Sequence, residues 1–186
     1  MTKPILGITM GDPSGNGPEL SVKVLMKPAT YERCKPIIVG DAAAIQAAID
    51  VVPGAAGLTV NRISQVGEAK FAYGTIDVLE VPCFDIAKRR YKKDRAMWLE
   101  KFTPEEVERQ YDESRKMCGE CAFQYVVKVI DLAMRGQINA TVTNALNKDY
   151  INMAGHHFSG HTEIYAQYTG TEKYSMMLAH DRLRVV

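Results

Sequence analysis

A short apolar run, Ile5 to Thr9, passes through a turn holding Gly11, Gly15 and Gly17 into an amphipathic stretch from Pro18 to Met26, and this strand-turn-helix alternation recurs along the chain. Pro36 to Val39 is a second apolar run. Asp41 is placed to cap the alanine-rich stretch that reaches Val51, and Pro53-Gly54 stops it. Leu58 to Ile63 and Ile76 to Val81 read as further strands. Strand-like runs that alternate with helix-like ones supply the crossovers that parallel pairing needs. The pattern therefore predicts an α/β fold with a mostly parallel sheet flanked by helices.

From Phe84 to Asp112 the pattern lapses. Lys88, Arg89, Arg90, Lys92 and Lys93 form a basic run and Glu105 to Glu108 an acidic one, with few apolar positions in register, so the segment reads as a charged surface insertion. A helix is predicted from about Ser114 to Arg135, with Cys118, Ala122, Tyr125, Val126, Val129 and Ala133 on one face and Gly136 at its end. Ala140 to Thr143 reads as another buried strand. A polar loop, Asn144 to Lys148, and a short helix to Ala154 follow. Thr162 to Tyr168 reads as helical, and Tyr174 to Leu178 and Leu183 to Val186 as strands. The last run has no turn, cap or polar tail after it, which gives the expectation that the chain is the front part of something larger.

Composition narrows the function. With 186 residues the chain can bury a sizeable core, and 23 basic against 22 acidic residues, net charge +1, give no bulk attraction to nucleic acid or membrane. The basic run lacks the aromatic interleaving of a nucleic-acid binder. No stretch approaches the roughly 18 apolar residues of a membrane span. The four cysteines sit in apolar or helical surroundings and no secretory leader opens the chain, so a cytoplasmic protein is expected. Cys118 and Cys121 form a CxxC, but no second pair or nearby histidines stand at zinc-finger spacing.

Three segments carry chemistry. In Met10 to Glu19, glycines allow close backbone approach, and the helix beginning near Pro18 presents unpaired N–H groups to an anion; Asp12, Gly15 and Gly17 are candidate contacts, against a purely structural turn. The segment is neither a GK[ST] phosphate loop nor a GxGxxG fingerprint. In Gly155 to Glu163, His156, His157 and His161 crowd together, yet their spacing matches no helical zinc pair. His161 and Thr162 instead offer an imidazole and a hydroxyl at a helix N-terminus, to a substrate or simply as a cap. Asn147 and Lys148 follow a strand, where open α/β sheets place ligands, although Lys148 reads equally well as a surface lysine.

Together ITMGDPSGNGPE and AGHHFSGHTE resemble the two signatures of the 4-hydroxythreonine-4-phosphate dehydrogenase family, and the likeness continues through GECAFQYVVKVIDLAMRG, TVTNALNK and MMLAHDRLRVV. The resemblance implies a fold like isocitrate and isopropylmalate dehydrogenases, a homodimer, and NAD-dependent oxidation of a secondary alcohol with a divalent metal (zinc, magnesium, manganese or cobalt) polarising the new carbonyl before decarboxylation. It implies that His161 and Thr162 contact substrate and are not metal ligands. The three metal-binding histidines of the family, and most NAD contacts, would lie beyond Val186, so this chain alone is expected to be inactive. Residues 1–135 are expected to form a first subdomain with an insertion at 84–112, and 136–186 the start of the substrate cleft. Ala145 stands where the family's loop has a proline, and the insertion is long. The GHHFSGHTE wording leans toward a 4-phosphorylated threonate or erythronate substrate; cis-dihydrodiols of aromatic acids are an alternative, as is a non-catalytic anion-binding or dimerisation module.

Overall fold

Everything is arranged about β1 (Ile5–Thr9), which pairs in parallel with β2 (Lys35–Gly40) on one side and β5 (Ala140–Thr143) on the other. The computed structural model describes residues 2–186, apart from the side chain of Lys92. With β3 (Thr59–Ile63) and β4 (Thr75–Glu80) the strands form a five-stranded sheet in the order β3-β4-β2-β1-β5, every pairing parallel. The predicted α/β class is therefore what the chain adopts.

On leaving β1 the chain runs through α1 (Gly17–Leu25) and α2 (Pro28–Arg33) to β2, then through α3 (Ala42–Val51) to the β3 edge and back to β4. Only then does it cross β1 to reach β5. Right-handed crossovers in opposite directions put their helices on opposite faces of the sheet. Accordingly α1 packs with α3, while α5 (Pro104–Met134) lies against β1, β2 and β5 and carries α6 (Lys148–Met153) and α7 (His161–Thr169). The loops after β1 and β5 thus flank a topological switch point, where such sheets open a crevice at the strands' carboxyl ends.

The main core joins Ile37, Ile38, Val39, Ile76, Val78 and Leu79 of β2 and β4 to apolar residues of α1, α3 and α5. Asp41 caps α3 as predicted, its carboxylate accepting the Ala44 N–H at 2.7 Å. A smaller core of Phe123, Val126, Ile130, Ile151 and Ile164 fastens α6 and α7 to α5. Close approach here depends on Gly119, where a Cβ would stand 2.0 Å from the Tyr150 carbonyl oxygen.

Several expectations are corrected. The long helix begins at Pro104, not near Ser114, because Thr103 and Glu106 form a reciprocal capping box and Val107 and Tyr111 are buried among the charges. The acidic run is thus the first turn of α5, where it complements the helix dipole. The basic run is pinned rather than solvated throughout: Arg90 donates to Gln110 Oε1 at 3.2 Å and the Ala87 carbonyl at 2.7 Å with its guanidinium over Trp98, and Arg89 lies over Tyr91. The rest of the insertion holds two single 3-10 turns and α4 (Arg95–Leu99). β5 is an exposed edge strand rather than a buried one, Val142 being 46% exposed. Tyr174 to Met177 are irregular. β6 (Leu178–His180) and β7 (Leu183–Val185) form an antiparallel hairpin apart from the main sheet, and α2 is a helix the sequence reading did not include.

Candidate functional site

Thr9 and Thr143 are register partners at the carboxyl ends of β1 and β5, and the loops leaving them are tied together. The tie is Asn144. Its backbone N–H donates to Thr9 Oγ1 at 3.1 Å, and its Nδ2 donates to the Thr9 carbonyl at 3.0 Å, the Gly17 carbonyl at 3.3 Å and Ser21 Oγ at 2.9 Å. One residue later, the Ala145 carbonyl accepts the Asp12 N–H at 3.0 Å.

These contacts decide what the glycines do. Gly11 has φ +75, and a Cβ there would meet the Ala145 carbonyl oxygen at 2.6 Å; one on Gly17 would stand 2.0 Å from the Met10 carbonyl oxygen. Both therefore make room for neighbouring protein backbone. Of the three loop glycines, Gly15 is exposed, its N–H bonded to the Asp12 carbonyl at 2.9 Å. Asp12 is buried and organises the turn, Oδ1 accepting both the N–H and the hydroxyl of Ser14 at 2.8 Å. Ser14 and Gly15 also line an open groove of about 720 Å³ with Lys23, Asp50, Arg89 and Lys93.

Past Asn144, Asn147 caps α6, its side-chain oxygen accepting the N–H groups of Asp149 at 3.0 Å and Tyr150 at 3.2 Å. Its carbonyl-type oxygen is thus already engaged. Lys148, the first residue of α6, is exposed at the same loop.

His161 opens α7 behind Gly160 and sits against the Asn144 backbone. Burial pushes its pKa down, opposed in part by hydrogen bonding at that backbone, so the neutral imidazole is favoured. Its Nε2 is buried and has no hydrogen-bond partner among the described residues. Thr162 follows in the first turn, whose N–H groups are free of intrahelical partners. The glycine-rich loop, the Asn144 loop and the α7 N-terminus thus meet at the switch point.

The other two histidines of the Gly155 to Glu163 segment go elsewhere. His156 pairs with Glu120 at 2.6 Å and stacks on Phe123, and His157 is exposed. Among the described residues no group of three His, Cys, Asp or Glu side chains could hold a metal ion. Cys118 and Cys121 lie in the core; burial pushes the Cys118 thiol up to about 12, and a hydrogen bond with Cys83 together with burial raises that of Cys121. Such thiols are poor nucleophiles. Asn144 and Ser21 escaped the sequence reading, the only signal being an asparagine directly after a strand.

The parallel α/β unit, with its loops meeting at a switch point, is of the isocitrate-dehydrogenase-like class that its solved structural neighbours share. Comparison with known proteins narrows it: the pattern of the pyridoxal phosphate biosynthetic protein PdxA family matches residues 32–186, and the chain belongs to that family. A 4-hydroxythreonine-4-phosphate dehydrogenase of Desulforapulum autotrophicum is 34% identical over 184 residues, covering 99% of this chain and 48% of the relative. A Symbiobacterium thermophilum protein provisionally named D-threonate 4-phosphate dehydrogenase is 30% identical over 184 residues, with the same 99% and 48% coverage. The crystal structure of a 4-hydroxythreonine-4-phosphate dehydrogenase from Burkholderia phymatum superposes with a TM-score of 0.79 at 32% identity, covering 99% of this chain and 49% of that one. The chain spans about half the length of the curated relatives it matches. Among the described residues no helix is long and apolar enough to cross a membrane.

Proposed function

We propose that this chain supplies one part of the substrate site of an NAD-dependent, divalent-metal-dependent dehydrogenase that oxidises and decarboxylates a phosphorylated hydroxy acid, 4-hydroxythreonine 4-phosphate or 4-phospho-D-threonate. The observation that carries this reading is the buried, unpartnered Nε2 of His161 at the head of α7. A buried polar atom without a partner costs about 1–3 kcal/mol, and the hydroxyl of an anionic substrate donating to this nitrogen would remove that cost. Thr162 and the first-turn N–H groups of α7 would hold the same anion. A neutral His161 binds by hydrogen bonding without fixing a charge at the reacting carbon. The names of the relatives support the substrate class.

Among the described residues the side chains do not fit a metal site. On this reading the metal, and NAD as hydride acceptor, are held mainly by residues outside these 186, and the chain by itself is inactive. What these residues do is bind and orient: Asn144 fixes the relation of the two loops, and His161 and Thr162 face the substrate, with residues 136–186 carrying the cleft side. The exposed β5 edge and the apolar hairpin, with Leu178, Leu183 and Val185 exposed, favour a homodimer, and a purely dimerising or anion-binding module is the second reading.

The test is NAD reduction with both phosphorylated acids and added divalent metal, run on this chain and on a chimera joined to the second half of the Desulforapulum relative. Reduction by the chimera alone, lost in His161→Ala with metal content unchanged, is the expected result. A chimera that binds metal and NAD but oxidises neither acid, or one indifferent to His161→Ala, overturns the reading.

A further inference from the structure

His156 stands apart from the groups gathered around Asn144, yet it is one of the most tightly held side chains in the segment that leads into α7. Its Nε2 lies 2.6 Å from Glu120 Oε2, and its ring stacks on Phe123 with centroids 3.7 Å apart and planes 12° from parallel. Glu120 and Phe123 are three residues apart on α5 and so share one helix face, one holding the edge of the imidazole and the other its flat side. Glu120 is itself braced by the Gln124 amide, which donates to Oε1 at 2.7 Å. Burial pushes the Glu120 carboxyl up, but Gln124 and His156 outweigh it and leave the group below its ordinary range.

Local geometry explains how this clamp forms. Gly119 lets the α6 backbone lie directly against α5. Gly155, at φ +94, then ends α6 in the left-handed region, and the His156 N–H returns to the Ile151 carbonyl at 2.9 Å. Beyond His156, Phe158 lies over the same Phe123 ring at 5.7 Å, and Tyr168 near the far end of α7 meets that ring edge-on at 5.9 Å. Phe123 therefore touches both the chain entering α7 and the helix itself. Only His157 to Gly160 separate the clamp from His161; His157 and Ser159 are exposed, and Gly160 offers no side chain to cap the helix. Between the clamp and His161 the packed side chain is Phe158, and it rests on the same Phe123 ring that His156 covers.

We propose that His156 is a positioning residue, clamped between Glu120 and Phe123 so that His161 and Thr162 stand at a fixed place at the head of α7. The proposal rests on the reading of His161 as a substrate-facing group. His156 touches no substrate in this account; it acts through the backbone that carries His161.

The test uses the 186-residue chain with ring-¹⁵N-labelled histidine, inorganic phosphate as the anion, and thermal melting as a check on folding. In His156→Ala the His161 ring resonances shift and phosphate binding weakens on the order of tenfold, within the range of coupling between groups in one network. His156→Gln keeps a donor for Glu120 and restores most of both readouts. Glu120→Gln, which keeps the shape of the acceptor, shifts His161 in the same direction by less, and it carries the test if His156→Ala does not fold. A folded His156→Ala or Glu120→Gln variant with unchanged His161 resonances overturns the proposal, because a merely structural residue would lower the melting temperature without moving His161. His161→Ala separates the two ideas: phosphate binding indifferent to that change defeats the substrate-facing reading, while the resonance shift still decides the clamp.

Discussion

Asn144 and Thr9 brace the ends of neighbouring parallel strands at two points, backbone N–H to threonine hydroxyl at 3.1 Å and side-chain amide to threonine carbonyl at 3.0 Å. The same amide reaches Gly17 and Ser21 of α1, so a single side chain closes β1, β5 and α1 on one another. Asn144→Ala would remove the side-chain donor to the part-buried Thr9 carbonyl, while the Gly17 carbonyl keeps the Ser21 hydroxyl at 2.9 Å. The expected loss is about 1–3 kcal/mol, measured as a lowered urea midpoint with unchanged slope. Ser21→Ala, which removes the hydroxyl but leaves Asn144 its two carbonyl partners, is expected to cost less; equal losses would show that the brace does not centre on Asn144.

Gly17 tests whether the glycine-rich loop is built for protein contact. Alanine there would put its Cβ 2.0 Å from the Met10 carbonyl oxygen, a backbone atom that cannot swing away. Gly17→Ala should destabilise by about 1–3 kcal/mol, as overpacking does, whereas Gly67→Ala, with nothing within 4 Å, should be near neutral. Chemical denaturation of the two variants side by side is sufficient. A Gly17→Ala protein of native stability would mean that the β1–α1 loop sits farther from Met10 in solution.

Much of the sheet was legible because its signals are local. Ile5 to Thr9 and Pro36 to Val39 are apolar runs bounded by turn residues, and Asp41 caps the helix that follows from a position readable in the chain itself. What stayed hidden depends on distant partners. Val107, Tyr111 and Ser114 have helical spacing, but they sit among so many charges that the stripe is thin, and only their burial shows it. Ala140 to Thr143 has the composition of an inner strand, and composition does not say how many neighbours a strand has. In the candidate site, the placement of His161 and Thr162 at a helix N-terminus was readable from the motif, but Gly11 and Gly17 are glycines for the sake of Ala145 and Met10, and nothing local distinguishes that from room for a ligand. Asn144 serves Thr9, Gly17 and Ser21, residues more than 120 positions away in sequence.

The hidden first turns of α5 supply their own check. Thr103 Oγ1 accepts the Glu106 N–H at 3.3 Å while Glu106 Oε2 accepts the Thr103 N–H at 2.9 Å. Thr103→Ala removes half of this box and should cost about 1 kcal/mol. Hydrogen exchange localises the effect: amides of Val107 to Tyr111 should exchange faster while those near Val126 hold. Uniform loss of protection along α5 would show that the helix opens as one unit and that the cap does not govern its start.

The state of His161 can be read from the pH dependence of stability. Burial holds its pKa below the ordinary value of 6.5, with the Asn144 backbone pulling weakly the other way. Between the depressed folded value and 6.5 the unfolded chain binds more protons than the folded one, so this contribution is complete above 6.5 and is lost as the pH falls through that window. His161→Gln removes the titration but keeps a polar group of similar reach. Urea midpoints at about pH 7.5 and about pH 5.5 should therefore fall further for the wild type than for His161→Gln, with other groups cancelling between the two proteins. Equal falls would mean that His161 titrates as a solvent-exposed histidine, and an exposed ring would have no unpartnered nitrogen to offer a substrate. A larger fall in the wild type would establish a neutral, desolvated imidazole at the head of α7, the state in which it can hydrogen-bond an anionic alcohol without itself taking up a proton.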